Sequence, residues 1–264
     1  MRLPLPIAYM IGVSGLTLGS SFTILKALVG RVSLRRGSFD MYIDRPVLVR
    51  SADGFWFLAR PRTPDLYTIA VSERYELFKW FKPRAKGLIV DVGAYIGTYT
   101  VRACNQADLV VAVEPVPVNF KVLRINVELN CVRRNVVLVN RAVGESSGKS
   151  QIYVPLSVSS GIGFSVASLN PHNINRSIVY EVVVDTLDSI LDSMGLGGEL
   201  IEYLKIDVED YSQQAVRGAL STLKRTRYLQ IELLQGELST YHLLKSLGFK
   251  LLDKAGYNYL FRRE

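Results

Sequence analysis

From Gly87 onward, short apolar runs alternate with segments whose apolar residues recur every three or four positions. The runs predict buried strands, and the longer segments predict amphipathic helices. Strict alternation of strand and helix is typical of a doubly wound α/β fold, in which helices cover both faces of a mostly parallel sheet. The predicted strands are 88–92, 109–115, 136–140, 202–208 and 228–234, and the predicted helices are 97–105, 118–130, 187–194, 212–223 and 238–247.

Two departures from the alternation refine this fold class. Residues 249–253 and 258–262 are predicted as a terminal pair of strands, and their connection is too short for a parallel crossover, so the pair must be antiparallel. Residues 151–156 and 177–184 are also predicted strands, and they flank the polar loop 159–177. Loops of that length often serve as lids or binding loops, and the histidine in this one either contacts a substrate or is solvated.

The N-terminal part divides into two further segments. Residues 37–86 carry a β-hairpin signal, with an Asp-Gly turn at 51–54, and an amphipathic helix at 73–81 that leads into the main domain. Residues 1–36 form an apolar and basic extension in which 3–25 carries no charge. That length suffices to cross a bilayer, so a membrane anchor, a signal-like segment and an extension packed on the domain all stay open.

The first predicted strand ends in an acid and a glycine-containing turn, DVGAYIG, at 91–97. Gly93 and Gly97 leave room for a ligand to approach the backbone. The turn lacks the closely spaced glycine pair of GxGxxG and the Gly-Lys-Ser/Thr of a P-loop. Because a carboxylate would repel a pyrophosphate, Asp91 favours a cofactor that carries an ammonium or sulfonium group.

Glu114 lies at the end of the second predicted strand. A carboxylate in that place can accept hydrogen bonds from both ribose hydroxyls of a nucleotide-like cofactor. The alternative is an acid favoured by the helix macrodipole, with Pro115 and Pro117 shaping the entry to the helix. Taken together with the glycine-containing turn, Glu114 predicts a ribose contact.

Composition limits the other classes of site. The net charge of +8 favours an anionic partner, yet the basic residues are scattered and not interleaved with aromatic ones, so nucleic-acid binding stays open and is not favoured. Two cysteines and two histidines are too few for a disulfide framework or a zinc site. Cys104 and Cys131 are predicted as small buried thiols, which fits a reducing compartment and a cytoplasmic protein, at a membrane if residues 1–36 anchor it.

Several of these segments, in this order, resemble the FkbM family of S-adenosylmethionine-dependent methyltransferases: DVGAYIGTYT, VEPVPVNFKVLRINVELN, NRAVGE, VDTLDSIL and LKIDVEDYSQQAVRGAL. The similarity extends over residues 55–252. Upstream of the glycine-containing turn, RPRTPDLYTIAVSERYE is similar to the family's own segment, with Arg60, Thr63 and Asp65 in matching places. The resemblance implies a seven-stranded class I methyltransferase sheet with an antiparallel terminal hairpin. It also implies S-adenosylmethionine as donor and a hydroxyl of a sugar, a polyketide or another small molecule as acceptor.

The same resemblance divides the cofactor site among three strand ends. The turn at 91–97 would surround the amino-acid part of S-adenosylmethionine, and Glu114 would bind its ribose. Residues 140–142 would lie near the adenine, unless they form a plain strand-to-loop junction. The predicted cofactor-binding residues are Asp91, Gly93, Ala94, Tyr95, Gly97, Glu114, Pro115, Asn140, Arg141 and Ala142.

The predicted catalytic residues lie at the end of the strand 202–208. Lys205, Asp207 and Glu209 alternate along this strand and past its end, so they share one face, and Glu232 ends the neighbouring strand. A positioned carboxylate would act as general base for an acceptor hydroxyl as the C–O bond forms. Alternatively, the acids would hold a divalent cation such as Mg²⁺ that binds the acceptor oxygens, or Lys205 would pair with one acid in a support network.

One departure from the family concerns the acceptor side. Family members commonly read KIDVEGAE where this chain reads KIDVEDYS, so Asp210 and Tyr211 replace small residues at the start of the next helix. The change predicts either a different acceptor pocket or a different start of the helix, and it hardly affects the donor site.

Residues 87–264 are therefore predicted to be a methyltransferase domain that methylates a hydroxyl of a glycan, a lipid-linked sugar or a small molecule. The charge suggests an RNA methyltransferase as the alternative, although the chain has neither an Asn-Pro-Pro-Tyr-like tetrapeptide after the fourth strand nor a Pro-Cys nucleophile. A non-catalytic cofactor-binding or membrane-associated interaction protein is the alternative from another class.

Overall fold

The computed structural model describes residues 13–15, 43–70, 86–133, 135–157, 161–162, 167–170, 177–234 and 237–264. The predicted helix 73–81, the histidine of the loop 159–177 and nearly all of the N-terminal extension lie outside the described residues. Within those ranges, no helix is long and apolar enough to cross a membrane.

Strands and helices alternate along most of the described chain. The strands are β1 (Val13–Gly15), β2 (Val47–Ser51), β3 (Trp56–Ala59), β4 (Leu88–Val92), β5 (Leu109–Val113), β6 (Val136–Val139), β7 (Ala142–Val143), β8 (Gly148–Ser157), β9 (Gly161–Ile162), β10 (Ser177–Asp185), β11 (Ile201–Ile206), β12 (Thr226–Glu232), β13 (Phe249–Ala255) and β14 (Asn258–Arg263). The helices are α1 (Asp65–Tyr67), α2 (Thr98–Cys104), α3 (Pro117–Asn130), α4 (Leu187–Ser193), α5 (Ser212–Arg217), α6 (Leu220–Lys224) and α7 (Leu238–Ser246), with a 3-10 turn at Glu209–Tyr211.

A seven-stranded sheet with the order β13-β14-β12-β11-β4-β5-β6 forms the centre of the molecule. Strands β12, β11, β4, β5 and β6 are parallel, whereas β14 is antiparallel to both β12 and β13. This is the class I methyltransferase sheet with an antiparallel terminal hairpin, and the prediction of its fold is confirmed. The carboxyl ends of the parallel strands lie along one edge, where ligands of such sheets bind.

The central strands are apolar on both faces because helices cover both sides of the sheet. Every residue of β4 is buried, and its side chains alternate between two cores. Ile89 joins the core packed by α2 and α3, whereas Val90 and Val92 join the core packed by the helices α4 to α7.

The predicted N-terminal hairpin is present as β2 and β3, with β1 added beside β2. At the edge of β3 away from β2, side chains of α3 bond to the strand's backbone. Asn126 of α3 accepts a hydrogen bond from the N–H of Leu58 at 2.7 Å, and Asn130 both accepts from and donates to the backbone of Trp56. These bonds satisfy an edge that would otherwise be open and fix the end of β3 beside the glycine-containing turn.

A second sheet, in the order β7-β10-β8-β9, contains the two strands predicted around the polar loop. β8 and β10 pair antiparallel over a long register, and β7 pairs parallel to β10. Ser168 pairs with Tyr153 of β8 in an isolated bridge, so this part of the polar loop lies against the second sheet.

The helix predicted for residues 212–223 is divided into α5 and α6 around Gly218. The backbone of Gly218 packs so closely on the neighbouring loop that a Cβ at this position would lie 1.9 Å from the carbonyl oxygen of Gly144. The carbonyl of Gly218 also accepts a hydrogen bond from the N–H of Asp188 at 3.1 Å. This close approach is a tertiary contact that helical spacing does not reveal.

The prediction that both cysteines are free thiols is wrong. Cys104, the last residue of α2, and Cys131, directly after α3, form a disulfide with their Cα atoms 5.8 Å apart. Both side chains are buried, as predicted, and the bond ties together the two helices that cover one face of the sheet. The expectation of a reducing compartment rested on free thiols, so the disulfide gives it no support.

Candidate active site

The ends of β4 and β11 bring three ionisable side chains together. Register pairs Lys205 with Asp91, and the Lys205 ammonium lies 3.5 Å from an Asp91 carboxylate oxygen and 3.1 Å from one of Asp207. Thr100 donates a hydrogen bond to Asp91 at 2.5 Å. Burial raises the pKa of Asp91, while Lys205 opposes that rise. β11 ends at Ile206, so Asp207 lies just past the strand, and the ion pair brings it together with Lys205.

The glycine-containing turn is shaped for close approach of backbone to backbone. Gly93 has a φ of 81°, and a Cβ there would lie 1.8 Å from the carbonyl oxygen of Asp207. Gly97 has a φ of 85° at the start of α2, where a Cβ would meet Leu123 at 2.5 Å. Both positions therefore require glycine. The N–H groups of Gly93 and Ala94 donate to the carbonyl of Val113, which holds the turn against the end of β5.

Glu114 lies directly after β5 and is almost completely buried. One carboxylate oxygen accepts hydrogen bonds from the N–H of Val116 at 2.9 Å and from the Asn119 amide at 3.1 Å, and the other accepts from the N–H of Tyr95 at 2.8 Å. Burial raises its pKa to about 7, although these three donors and the positive charge of Arg60 lower it. Glu114 is therefore a carboxyl that ionises near neutral pH.

A cleft of about 560 Å³ joins these strand ends. Gly93, Tyr95, Glu114 and Pro115 line one side of it, and the backbone and side chains of 207–209 line another. The remaining lining residues come from the start of α3, the chain after β6, the second sheet, the polar loop and the 3-10 turn: Val116, Asn119, Arg141, Ala142, Val143, Ile152, Ala167, Leu169 and Tyr211, with Val92 of β4 and Val113 of β5.

Three carboxyls lie close together beside this cleft, and two of them, Asp207 and Glu209, line it. Asp207, Glu209 and Glu232 each offer an oxygen within 4.8 Å of the others. Burial raises the pKa of Glu209 to about 8, and the neighbouring acids Asp207 and Asp210 add to the rise. Burial raises the pKa of Glu232 to about 9, again with a contribution from Asp207 and Glu209. A cluster of this kind can take up or release a proton near neutral pH.

The predicted adenine-side residues have different places. Asn140 donates to the carbonyl oxygens of Glu114 and Pro115 at 2.8 and 3.0 Å, so it fixes the chain that carries the buried acid. Arg141 pairs with Asp185 at 2.5 Å and lines the cleft, as does Ala142. A role of these residues toward adenine stays a prediction, as do the other assignments within the site.

The acceptor side carries a contact that depends on the departure from the family pattern. The Ser168 hydroxyl donates to the Asp210 carboxylate, and the Asn170 amide donates to the Asp210 carbonyl at 3.1 Å. Asp210 thereby ties residues 168–170 of the polar loop to the 3-10 turn at Glu209–Tyr211, in which Glu209 has a φ of 56°.

The sequence pattern gave no role to Arg60, Asp65 and Asn119, which are connected by hydrogen bonds to Glu114. Arg60 forms an ion pair with Asp65 and donates to Asn119, which in turn donates to Glu114. The only signal was the similarity of RPRTPD to the family's upstream segment, and no pattern singled out Asn119.

Comparison with known families gives one match. Residues 91–259, more than half of the chain, match the family model described as "Methyltransferase FkbM domain". No curated protein matches the sequence.

The fold of this chain is also similar to that of several solved structures. An FkbM methyltransferase from Methylobacillus flagellatus KT is 15% identical with a TM-score of 0.49, over 71% of this chain and 46% of its own. Trm5b from Pyrococcus abyssi is 16% identical with a TM-score of 0.42, over 82% and 55%. M. jannaschii TYW2, solved in complex with AdoMet, is 14% identical with a TM-score of 0.41, over 84% and 88%. This chain spans about half the length of the first two, and at these identities the likeness concerns the fold alone.

Proposed function

The chain belongs to the FkbM methyltransferase family, whose methyl donor is S-adenosylmethionine, and from this we propose that it methylates a hydroxyl of a glycan, a lipid-linked sugar or a small molecule. The observation that carries the proposal is the single cleft that joins the buried acid after β5 to the carboxyl cluster after β11. Donor and acceptor groups would thus lie next to each other.

The residues at the strand ends suit S-adenosylmethionine by charge and by shape. Gly93 supplies exposed backbone where a side chain has no room, and the negative charge of Asp91, buried at the start of this turn, suits the ammonium group of the amino-acid part. Glu114 already accepts three hydrogen bonds, and a carboxylate has about four acceptor positions. Two ribose hydroxyls would take the remaining position and share another.

The methyl group of the donor is electrophilic because it is bound to a sulfonium. The acceptor hydroxyl would lose its proton as its oxygen bonds to the methyl carbon and the methyl–sulfur bond breaks, which leaves S-adenosylhomocysteine. Asp207 and Glu209 both face the cleft where that hydroxyl would lie. A carboxylate whose pKa is raised toward neutral is a better base than an ordinary one, which favours Glu209 for proton uptake with Asp207 orienting the hydroxyl. Glu232 supports the pair from behind, and Lys205 holds Asp207 in place.

A second version of the chemistry uses a divalent cation. The ligand oxygens of Asp207, Glu209 and Glu232 are close enough to share one ion, and oxygen ligands suit Mg²⁺. In that version, the carboxylates would hold the ion beside the acceptor oxygens and would not act as bases.

Isothermal titration calorimetry of the full-length protein with S-adenosylmethionine, S-adenosylhomocysteine and NAD tests the donor assignment. We expect both sulfur compounds to bind and NAD not to bind. If folded protein bound none of the three, the donor assignment would fail and a non-catalytic interaction protein would become the better interpretation.

The acceptor class can be tested with S-adenosylmethionine carrying a tritiated methyl group. We expect label to enter glycan, glycolipid or small hydroxylated molecules, and not total RNA. Label that enters only RNA and is released by ribonuclease would favour the RNA methyltransferase. Parallel reactions with EDTA separate the two chemistries, because unchanged activity supports a carboxylate base, whereas loss restored by Mg²⁺ supports the cation.

A further inference from the structure

Arg60 leaves the end of β3 and is held in a fixed orientation by Asp65. Its Nε and Nη2 atoms donate to the two Asp65 carboxylate oxygens, each at 2.9 Å, and its own backbone N–H donates to the same carboxylate at 2.9 Å. Asp65 is fully buried, and the Thr63 hydroxyl closes the turn by donating to the Arg60 carbonyl. A bidentate pair with an additional backbone bond fixes the guanidinium plane.

Two short paths connect this ion pair to Glu114. The Nη1 atom of Arg60 donates to the Asn119 side-chain oxygen at 2.8 Å, and the Asn119 amide donates to Glu114 at 3.1 Å. On the other path, the Tyr95 hydroxyl donates to Asp65, and the Tyr95 N–H donates to Glu114 at 2.8 Å. The Arg60 guanidinium also lies over the Tyr95 ring, 5.6 Å from its centroid.

The network is polarised by its buried charges. Arg60 after β3, Asp65 in α1 and Tyr95 in the glycine-containing turn are the titratable groups of the network around Glu114. Across the cleft lie Arg141, already paired with Asp185, and the acids Asp207 and Glu209. Arg60 is the cation among the groups that lower the Glu114 pKa. In a buried setting, such a charge acts strongly on its neighbours.

We propose that Arg60, oriented by Asp65, is a positioning residue of the donor site, which keeps the Glu114 carboxylate turned toward the ribose and in its anionic form. The proposal rests on the ribose role proposed above for Glu114. It makes the segment 60–65, which lies upstream of the matched residues 91–259, part of the S-adenosylmethionine site.

The test measures affinity for S-adenosylhomocysteine between pH 6 and pH 9 by calorimetry on the full-length protein. Arg60→Met removes the charge and keeps much of the side-chain length, whereas Arg60→Lys keeps the charge. Arg62→Met is the matched control, because Arg62 is exposed and belongs to the same segment. Glu114→Gln and the double variant Arg60→Met/Glu114→Gln complete a thermodynamic cycle.

We expect affinity in the unaltered protein to rise as pH increases through about 7, because Glu114 must lose its proton to accept both ribose hydroxyls. Arg60→Met should move this midpoint upward by about one pH unit. At pH values below the midpoints of both proteins, the variant should therefore bind roughly ten-fold more weakly, and at high pH the two affinities should become equal. Arg60→Lys should keep the midpoint closer to that of the unaltered protein, and Arg62→Met should match it. In the Glu114→Gln background, Arg60→Met should have no further effect.

The outcomes separate the two proposals. If Glu114→Gln leaves affinity unchanged, the ribose role fails and the role of Arg60 fails with it. If Glu114→Gln weakens binding but Arg60→Met leaves the midpoint unmoved, or weakens binding equally in both backgrounds, only the role of Arg60 is overturned. Should Arg60→Met not fold, Asn119→Asp replaces it. This isosteric change puts a second carboxyl beside Glu114 and should also raise the midpoint; an unmoved midpoint would overturn the proposal.

Discussion

At the scale of single residues, Lys205 joins the ends of β4 and β11 beside the cleft. Its side chain is only 4% exposed, and its ammonium contacts Asp91 on one side and Asp207 on the other. A buried ammonium without carboxylate partners would be costly, and so would the two carboxylates without the ammonium. The three groups therefore form one unit, in which Asp207 is the member that reaches the cleft.

Replacing Asp207 separates the proposed chemistry from donor binding. Asp207→Asn preserves shape but removes the negative charge that would orient the acceptor hydroxyl, and Lys205 retains Asp91 as its partner. We expect the affinity for S-adenosylhomocysteine to stay within a few-fold, while methyl transfer to the acceptor found by labelling falls by at least about 100-fold. Asp108→Asn, at an exposed position at the opposite end of β5, is the matched control. Turnover near that of the control would remove Asp207 from the mechanism.

Residues at strand ends could be predicted from the sequence because β-strand periodicity and the rule for α/β sheets place them at one edge. Asp91, Glu114 and Asp207 all line or adjoin the cleft for this reason. Arg60 and Asn119 could not be predicted in the same way. Their hydrogen bond joins positions 59 residues apart, and only the packing of β3 on α3 brings them together.

At the scale of elements, the disulfide links the end of α2 to the end of α3 across 27 residues. Closing a loop of that length is expected to stabilise the fold by about 3–4 kcal/mol, chiefly by restricting the unfolded chain. We therefore expect dithiothreitol, or the double change Cys104→Ala/Cys131→Ala, to lower the free energy of unfolding in denaturant titrations while binding of S-adenosylhomocysteine persists. Dithiothreitol should not affect the double variant. Equal stability with and without reductant would show that the purified protein has free thiols.

Asp210 makes a second connection between elements. It joins the 3-10 turn after β11 to residues 168–170 of the polar loop. Asp210→Gly, which restores the residue common in the family, removes the acceptor of the Ser168 hydroxyl, whereas Asp210→Asn keeps an acceptor oxygen. We expect Asp210→Gly to accelerate amide hydrogen exchange at Ser168 and Tyr153, whose backbones pair, without changing affinity for S-adenosylhomocysteine. The same exchange in Asp210→Gly and in Asp210→Asn would contradict a tethering role.

Element types were easier to predict than the pairing between elements. The strands 151–156 and 177–184 are visible as apolar and β-branched runs, yet nothing in these runs indicates that β7 pairs parallel to β10 in a separate sheet. The sequence pattern likewise does not indicate the break in the helix at Gly218 or the Cys104–Cys131 disulfide. Both depend on which surfaces meet in three dimensions, and one-dimensional spacing does not contain that information.

At the scale of the whole molecule, net charge and local charge differ in sign. The chain carries +8, but the cleft concentrates carboxyls that are buried and close to one another. The charge of the whole chain therefore predicts an anionic partner without locating the site, whereas the apolar runs predict the sheet and its ligand-binding edge. This contrast also suggests that the stability of the free protein depends on the pH at which the cleft carboxyls ionise.

The last prediction concerns that pH dependence. The pKa values of Glu114, Glu209 and Glu232 are raised to about 7, 8 and 9 in the folded protein. Because each folded value exceeds the unfolded one, their contribution to stability is complete below the unfolded pKa and is lost as pH rises through about 7 to 9.

Glu209→Gln/Glu232→Gln removes two of these titrations, so the melting temperature of this double variant should decline less over this range. It should exceed that of the unaltered protein at pH 9 by at least roughly 2–4 °C, the shift produced by about 1 kcal/mol in a domain of this size. Thermal unfolding followed by circular dichroism measures this, with the exposed Glu181→Gln as control. Parallel curves for all three proteins would mean that these carboxyls ionise in the folded chain as they do in the unfolded one.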